Sequence, residues 1–96
     1  MFGLRFSPAA QADLDAIFDY TAETWGLERA EDYVRLIQAA CEALARSPGQ
    51  AQDCGDIRAG YRRGPAGRHH IYFRIEDYGI AVVRILHQRM DAPRHL

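Results

Sequence analysis

Residues 69–87 read His69-His70-Ile71-Tyr72-Phe73-Arg74-Ile75-Glu76-Asp77-Tyr78-Gly79-Ile80-Ala81-Val82-Val83-Arg84-Ile85-Leu86-His87. Apolar residues recur at a period of two on either side of Asp77-Tyr78-Gly79, and β-branched and aromatic types dominate. That pattern predicts two antiparallel strands, His69 to Glu76 and Ile80 to His87, joined by a tight turn. Upstream, Ile57 to Arg63 reads as a further short strand ended by the turn Gly64-Pro65-Ala66-Gly67, so the second half of the chain is a three-stranded meander. Before Gln50 the period changes. Ser7-Pro8 is a helix start, because the Ser oxygen can accept an unpaired N–H and Pro fits the first helical position. Ala10, Leu14, Ile17, Phe18 and Trp25 then fall on one helical face, with Asp13, Asp19 and Glu23 mainly on the other. Gly26 breaks this helix. Leu27, Ala30, Val34, Ile37, Cys41 and Leu44 step by three or four through a second helix that stops at Ser47-Pro48-Gly49. One glycine between two amphipathic helices makes an antiparallel hairpin, and Trp25 at the joint is expected to plug its corner. Phe2 to Phe6 supplies a short first strand.

The predicted order is therefore β-α-α-β-β-β, an α+β fold in which an antiparallel sheet is covered on one face by a helical hairpin. Its core is expected to hold Leu14, Ile17, Phe18, Val34, Ile37, Cys41, Leu44, Ile71, Phe73, Val83 and Ile85. A chain of 96 residues is the size of one domain, residues 1–96, and 48% hydrophobic with 26% charged residues excludes disorder and fibrous repeats. No run approaches the length of a membrane span, and the N-terminus lacks a basic segment followed by an apolar one, so a cytoplasmic location without a membrane partner is expected. Cys41 and Cys54 have no metal-ligand or redox spacing, and Cys41 reads as a small core residue. His69 and His70 are adjacent, so on a strand they point to opposite faces; no metal and no cofactor are expected. Asp13, Asp15 and Asp19 read as a solvated acidic helix face.

The net charge of −1 hides an asymmetry: residues 1–56 carry four arginines against ten acids, and residues 57–96 carry eight arginines against three. There is no lysine, and all four histidines lie in the basic half. Arg stays charged when partly buried and forks onto carboxylate or phosphate, which suits an acidic protein segment or a nucleic acid. Strand alternation sorts Ile71, Phe73, Ile75, Ala81, Val83 and Ile85 onto the helix-facing side. Arg58, Arg62, His70, Tyr72, Arg74 and Arg84 fall on the other, together with Ile80, Val82 and Leu86. Arg and Tyr interleaved with aliphatics form the composition of an interface core rather than of a plain solvent face.

Several runs together resemble one family. They are Phe6-Ser7-Pro8-Ala9-Ala10-Gln11-Ala12-Asp13-Leu14, Ile17-Phe18-Asp19-Tyr20, Ile57-Arg58-Ala59-Gly60-Tyr61-Arg62, Gly67-Arg68-His69-His70-Ile71-Tyr72-Phe73-Arg74 and Val83-Arg84-Ile85-Leu86-His87. In order, spacing and total length they resemble the ParE toxins of bacterial type II toxin-antitoxin modules over nearly the whole chain. The resemblance implies the RelE/ParE fold, a ParD-like antitoxin partner, inhibition of DNA gyrase, no cofactor, and no sequence-specific DNA binding by the toxin alone. Combined with the interface-like face, it makes Arg58, Arg62, Tyr72, Arg74, Arg84, His87 and Arg89 the expected antitoxin- or target-binding residues. The tail Gln88 to Leu96, with Arg89, Arg94 and His95, is read on the same ground as a target-contacting segment.

The alternative is the sister branch, the RelE-like ribosome-dependent mRNA interferases. Cleavage by 2'-OH attack needs a base, an acid and cations around the phosphate, roles open to Arg74, Arg84 and His87, with Tyr72 nearby. RelE-like enzymes, however, place a Lys or Glu base in the central strands and a Tyr or His near the C-terminus. Here there is no Lys and no Tyr after Tyr78. His87 differs in parity from Arg84 and is expected on the helix side unless the strand bulges. A non-catalytic poison is the preferred reading, with no catalytic residue assigned.

Overall fold

The computed structural model describes residues 3–96. The first strand, β1 (Gly3–Phe6), is followed by α1 (Pro8–Trp25), α2 (Leu27–Arg46), β2 (Gln52–Asp53), β3 (Tyr61–Ala66), β4 (His69–Glu76) and β5 (Gly79–His87). Short 3-10 turns occupy Pro48–Gln50 and Ala92–Arg94. Phe2, expected to open the first strand, lies outside the described residues. Ser7 caps α1 as its sequence requires: its Oγ accepts from the Ala10 N–H at 3.0 Å and donates to the Val83 carbonyl at 2.8 Å, so one side chain starts the helix and ties it to the last strand. Gly26, at φ 97° and ψ 163°, is the whole connection between the helices.

The strands form one sheet in the order β1-β5-β4-β3-β2. Neighbours are antiparallel except at the edge, where β1 runs parallel to β5. The expectation of a wholly antiparallel sheet is corrected here. The short strand β2, absent from the predicted order, adds a reversal before β3 and so leaves β5 running in the direction of β1. The strand expected at Ile57 to Arg63 lies farther along. Residues 54–60 form turns, and the chain stays paired through Gly64, Pro65 and Ala66 to a two-residue turn at Gly67-Arg68. Gly67 takes a left-handed φ of 58° there.

The helix-covered face buries Ala10, Leu14, Ile37, Cys41, Ile71, Phe73, Ile80, Val82 and Ile85, with Ile17, Val34 and Leu44 packed around them. Ile80 and Val82 replace the expected Ala81 and Val83. A β-bulge shifts the register from Tyr72↔Arg84 to Phe73↔Val82 and leaves Val83 as the extra residue, so parity counted back from Ile85 fails. Val83 instead joins a second cluster on the opposite face, made of Cys54, Tyr72, Leu86 and Ala92 with Ile57, Tyr61 and Leu96. Phe18 is half-buried outside both clusters, and Ile75, at the end of β4, is 47% exposed. Trp25 does not plug the corner; it is 63% exposed.

Candidate functional site

The sheet face opposite the helices is only partly open, because residues 54–61 and the C-terminal turn fold over it. Tyr72 is 2% exposed beneath that cover, and its hydroxyl accepts from Arg63 Nη1 at 3.3 Å. Arg62 pairs in register with Phe73 and sits on the other side, donating to the Ala51 carbonyl at 2.9 Å. The register of β3 against β4 therefore makes Arg63, not Arg62, the neighbour of Tyr72. Arg84 is committed internally. Its Nε and Nη2 fork onto both Asp13 carboxylate oxygens at 2.8 and 2.9 Å, and Nη1 donates to the His95 carbonyl at 3.0 Å. Asp13 also accepts the Ile85 N–H at 2.9 Å, satisfying a backbone donor on the part of β5 beyond the reach of β1. Asp13 thus departs from the expected solvated face, and its hydrogen bond is the first cause raising the Arg84 pKa.

Three of the seven expected binding residues remain exposed: Arg58, Arg74 and Arg89. Arg58 lies over the Tyr61 ring at 5.7 Å, and Arg74 makes a loose 3.5 Å contact with Glu76. The tail after β5 is docked, with Ala92 and Leu96 in the second cluster.

His87 lies on the helix side, as its parity with Ile85 implies, opposite His69. The two rings meet edge to face with centroids 5.3 Å apart. His69 and His70 point to opposite faces, and only His69 joins this group. Tyr33, from α2, reaches His69 Nδ1 with its hydroxyl at 2.6 Å and accepts the Arg68 N–H at 3.0 Å, which fixes the tight β3–β4 turn to the helix. Burial, then the neighbouring His87, push the His69 pKa down from 6.5 to about 4, with Asp13 opposing. Around this trio opens a cleft of about 640 Å³ between the helical hairpin and the sheet, lined by Ile17, Tyr20, Trp25, Arg29, Arg68 and the two histidines. Sequence reasoning missed it, since it joins residues from both halves of the chain. The signal available was the pair of bulky aromatics, Tyr20 and Trp25, in the last part of α1.

Arg74, Arg84 and His87 do not converge. Arg84 is held by Asp13, Arg74 is on the surface, and His87 is on the other face with its Nδ1 accepting the Arg89 N–H at 3.1 Å. Among the described residues no three His, Cys, Asp or Glu side chains cluster as metal ligands, and no helix is long and apolar enough to cross a membrane.

These features have counterparts in known proteins. A family model described as the ParE toxin of type II toxin-antitoxin system, parDE, matches residues 4–92. Toxin ParE1 of Mycobacterium tuberculosis strain H37Rv is 47% identical over 91 residues, covering 94% of this chain and 93% of that one. Toxin ParE1 of Caulobacter vibrioides is 44% identical over 92 residues, covering 96% and 95%. Among solved structures, a chain of the "Chromosomal ParDE TA system from P. aeruginosa" superposes with a TM-score of 0.79 at 27% identity, covering 91% of this chain and 96% of that one. A chain of the "YoeB-YefM complex from Staphylococcus aureus" superposes at 0.60 with 15% identity, over 92% and 98%, and shares the fold alone. A hairpin-covered sheet of this topology, matched in sequence over nearly its full length, places the chain in the ParE toxin family of type II toxin-antitoxin systems.

Proposed function

We infer that residues 1–96 act as one toxin domain, neutralised by a ParD-like antitoxin and acting by binding DNA gyrase rather than by cutting RNA. The antitoxin is supported by the likeness to a chain of the P. aeruginosa ParDE system and by the basic second half of this chain, which complements an acidic partner segment. Gyrase as target rests on the family resemblance. The observation that carries a binding mode over a catalytic one is the dispersal of Arg74, Arg84 and His87. The Arg84 guanidinium is taken up by Asp13 and the His95 carbonyl, Arg74 is at the surface and His87 lines the cleft on the helix side, so the three do not line one recess that could both hold a phosphodiester and move its proton. Arg58, Arg74 and Arg89 are the members of the expected set free to meet a partner at the surface.

Purified toxin should inhibit gyrase supercoiling or trap gyrase on DNA, and leave ribosome-bound mRNA intact. Site-specific mRNA cleavage that disappears in His87→Ala would reverse the assignment.

A further inference from the structure

The cleft around His69 and His87 has a chemistry of its own. The Arg89 N–H donates to His87 Nδ1, so that ring carries its proton on Nε2 and has a donor left to offer, while His69 Nδ1 is taken up by the Tyr33 hydroxyl. The Thr21 hydroxyl is turned away, donating to the Ile17 carbonyl at 2.7 Å. Arg29 lies 5.7 Å over the Trp25 ring, and neither Arg29 nor Arg68 has a carboxylate partner among the described residues. The polar groups of the cleft are therefore mostly donors and positive. Its rim is aromatic: Tyr20 is 68% and Trp25 63% exposed, with Leu27 beside them at 65%. Exposed Trp, Tyr and Arg around a recess form the composition of an interface anchor point.

The surroundings select the occupant. Asp19, Glu23, Glu28, Glu31 and Asp32 are exposed on the same hairpin and would repel a nucleic acid strand, which brings a charge with every residue. A peptide that presents one bulky apolar side chain next to one carboxylate avoids that repulsion and matches both the aromatic rim and the cationic interior. We propose that this cleft holds such an anchor from the antitoxin, its apolar side chain against Trp25, Tyr20 and Tyr33 and its carboxylate on Arg68, Arg29 and the His87 Nε2–H. The proposal rests on the reading that a ParD-like antitoxin neutralises this chain. It makes the cleft the centre of that interface and the exposed arginines of the opposite face its margin.

Trp25 is the single tryptophan of the chain, so a 5-fluorotryptophan label reports on the cleft alone. Labelled toxin, separated from its complex and refolded, is titrated with the antitoxin encoded beside it while ¹⁹F NMR and calorimetry are recorded. The label should shift saturably, Arg68→Ala and Tyr20→Ala should each weaken binding by about tenfold or more, and Arg58→Ala and Arg74→Ala by no more than about threefold. A complex that forms without moving the label overturns the proposal. So does a reversal of the two pairs of variants, or a label that responds to adenosine monophosphate and is not displaced by antitoxin. If calorimetry detects no complex with unlabelled wild-type toxin, the antitoxin reading itself falls and the cleft assignment with it.

Discussion

Asp13 carries more of this structure than its place in a polar helix face suggests. Its carboxylate and the Arg84 guanidinium are only 15% and 26% exposed, and one carboxylate oxygen also takes the Ile85 N–H. Asp13→Ala leaves a partly buried cation and a backbone donor without partners, and should cost about 2–3 kcal/mol in denaturant unfolding. Asp13→Asn keeps an acceptor for the N–H and should cost distinctly less; equal losses would show that the backbone bond contributes nothing. His69 gives the second expectation. Its folded pKa is depressed from 6.5 to about 4, so the unfolded chain binds the extra proton first, and the associated stability is complete above 6.5 and lost as the pH falls toward 4. The half-buried ring is partly screened by solvent, so the loss should be on the order of 1–2 kcal/mol. Unfolding midpoints of His69→Gln should fall less steeply than those of the wild type across that window, and parallel curves would remove His69 from the account. Neither role is legible in the sequence. Asp13 and Arg84 meet across 71 positions, and nothing local distinguishes Asp13 from Asp19.

At the scale of elements, legibility depends on how local the deciding interaction is. The start of α1 rests on Ser7 and Pro8, the hairpin on Gly26, and the β4–β5 turn on three adjacent residues, so each can be read from its own neighbourhood. The end of β3 cannot, because Gly64-Pro65 has turn composition yet lies within the pairing. Gly64 is needed there for a different reason: a Cβ on it would stand 2.5 Å from the Leu44 side chain. The bulge at Val83 is also hidden, since it follows from fitting β5 to β4, to Asp13 and to Ser7 at once. That is why strand alternation exchanges the two apolar sets on β5 while locating the strand itself. Gly79 tests the parallel edge. It sits at φ 144° opposite Gly3, and a Cβ there would collide with the Gly3 backbone. Gly79→Ala should cost about 2 kcal/mol or more and selectively strip hydrogen-exchange protection from residues 3–7. Loss of protection spread evenly over the sheet would contradict that placement.

Over the whole molecule, the two clusters divide the labour: the larger joins hairpin to sheet, and the smaller holds the tail and the 54–61 segment against the opposite face. The charge asymmetry survives folding as an acidic hairpin surface and exposed arginines on the other side. An acidic partner approaching those arginines should be steered by them, so its association rate should fall as salt is raised. Arg74, with its side chain 48% exposed, belongs to the steering field: Arg74→Glu should slow association and flatten the salt dependence while changing equilibrium affinity by less than about 1 kcal/mol. An unchanged association rate, measured by stopped flow, would remove Arg74 from the approach path. The parallel β1–β5 edge also bears on synthesis. Ser7 and its acceptor Val83 are 76 positions apart, so at about 5–20 residues per second the first strand waits roughly 4–15 s on the ribosome before its partner is even translated. Until then the nascent chain has α1 and α2 but no strand to lay beside β1, and the toxin takes shape only as its last strand is made.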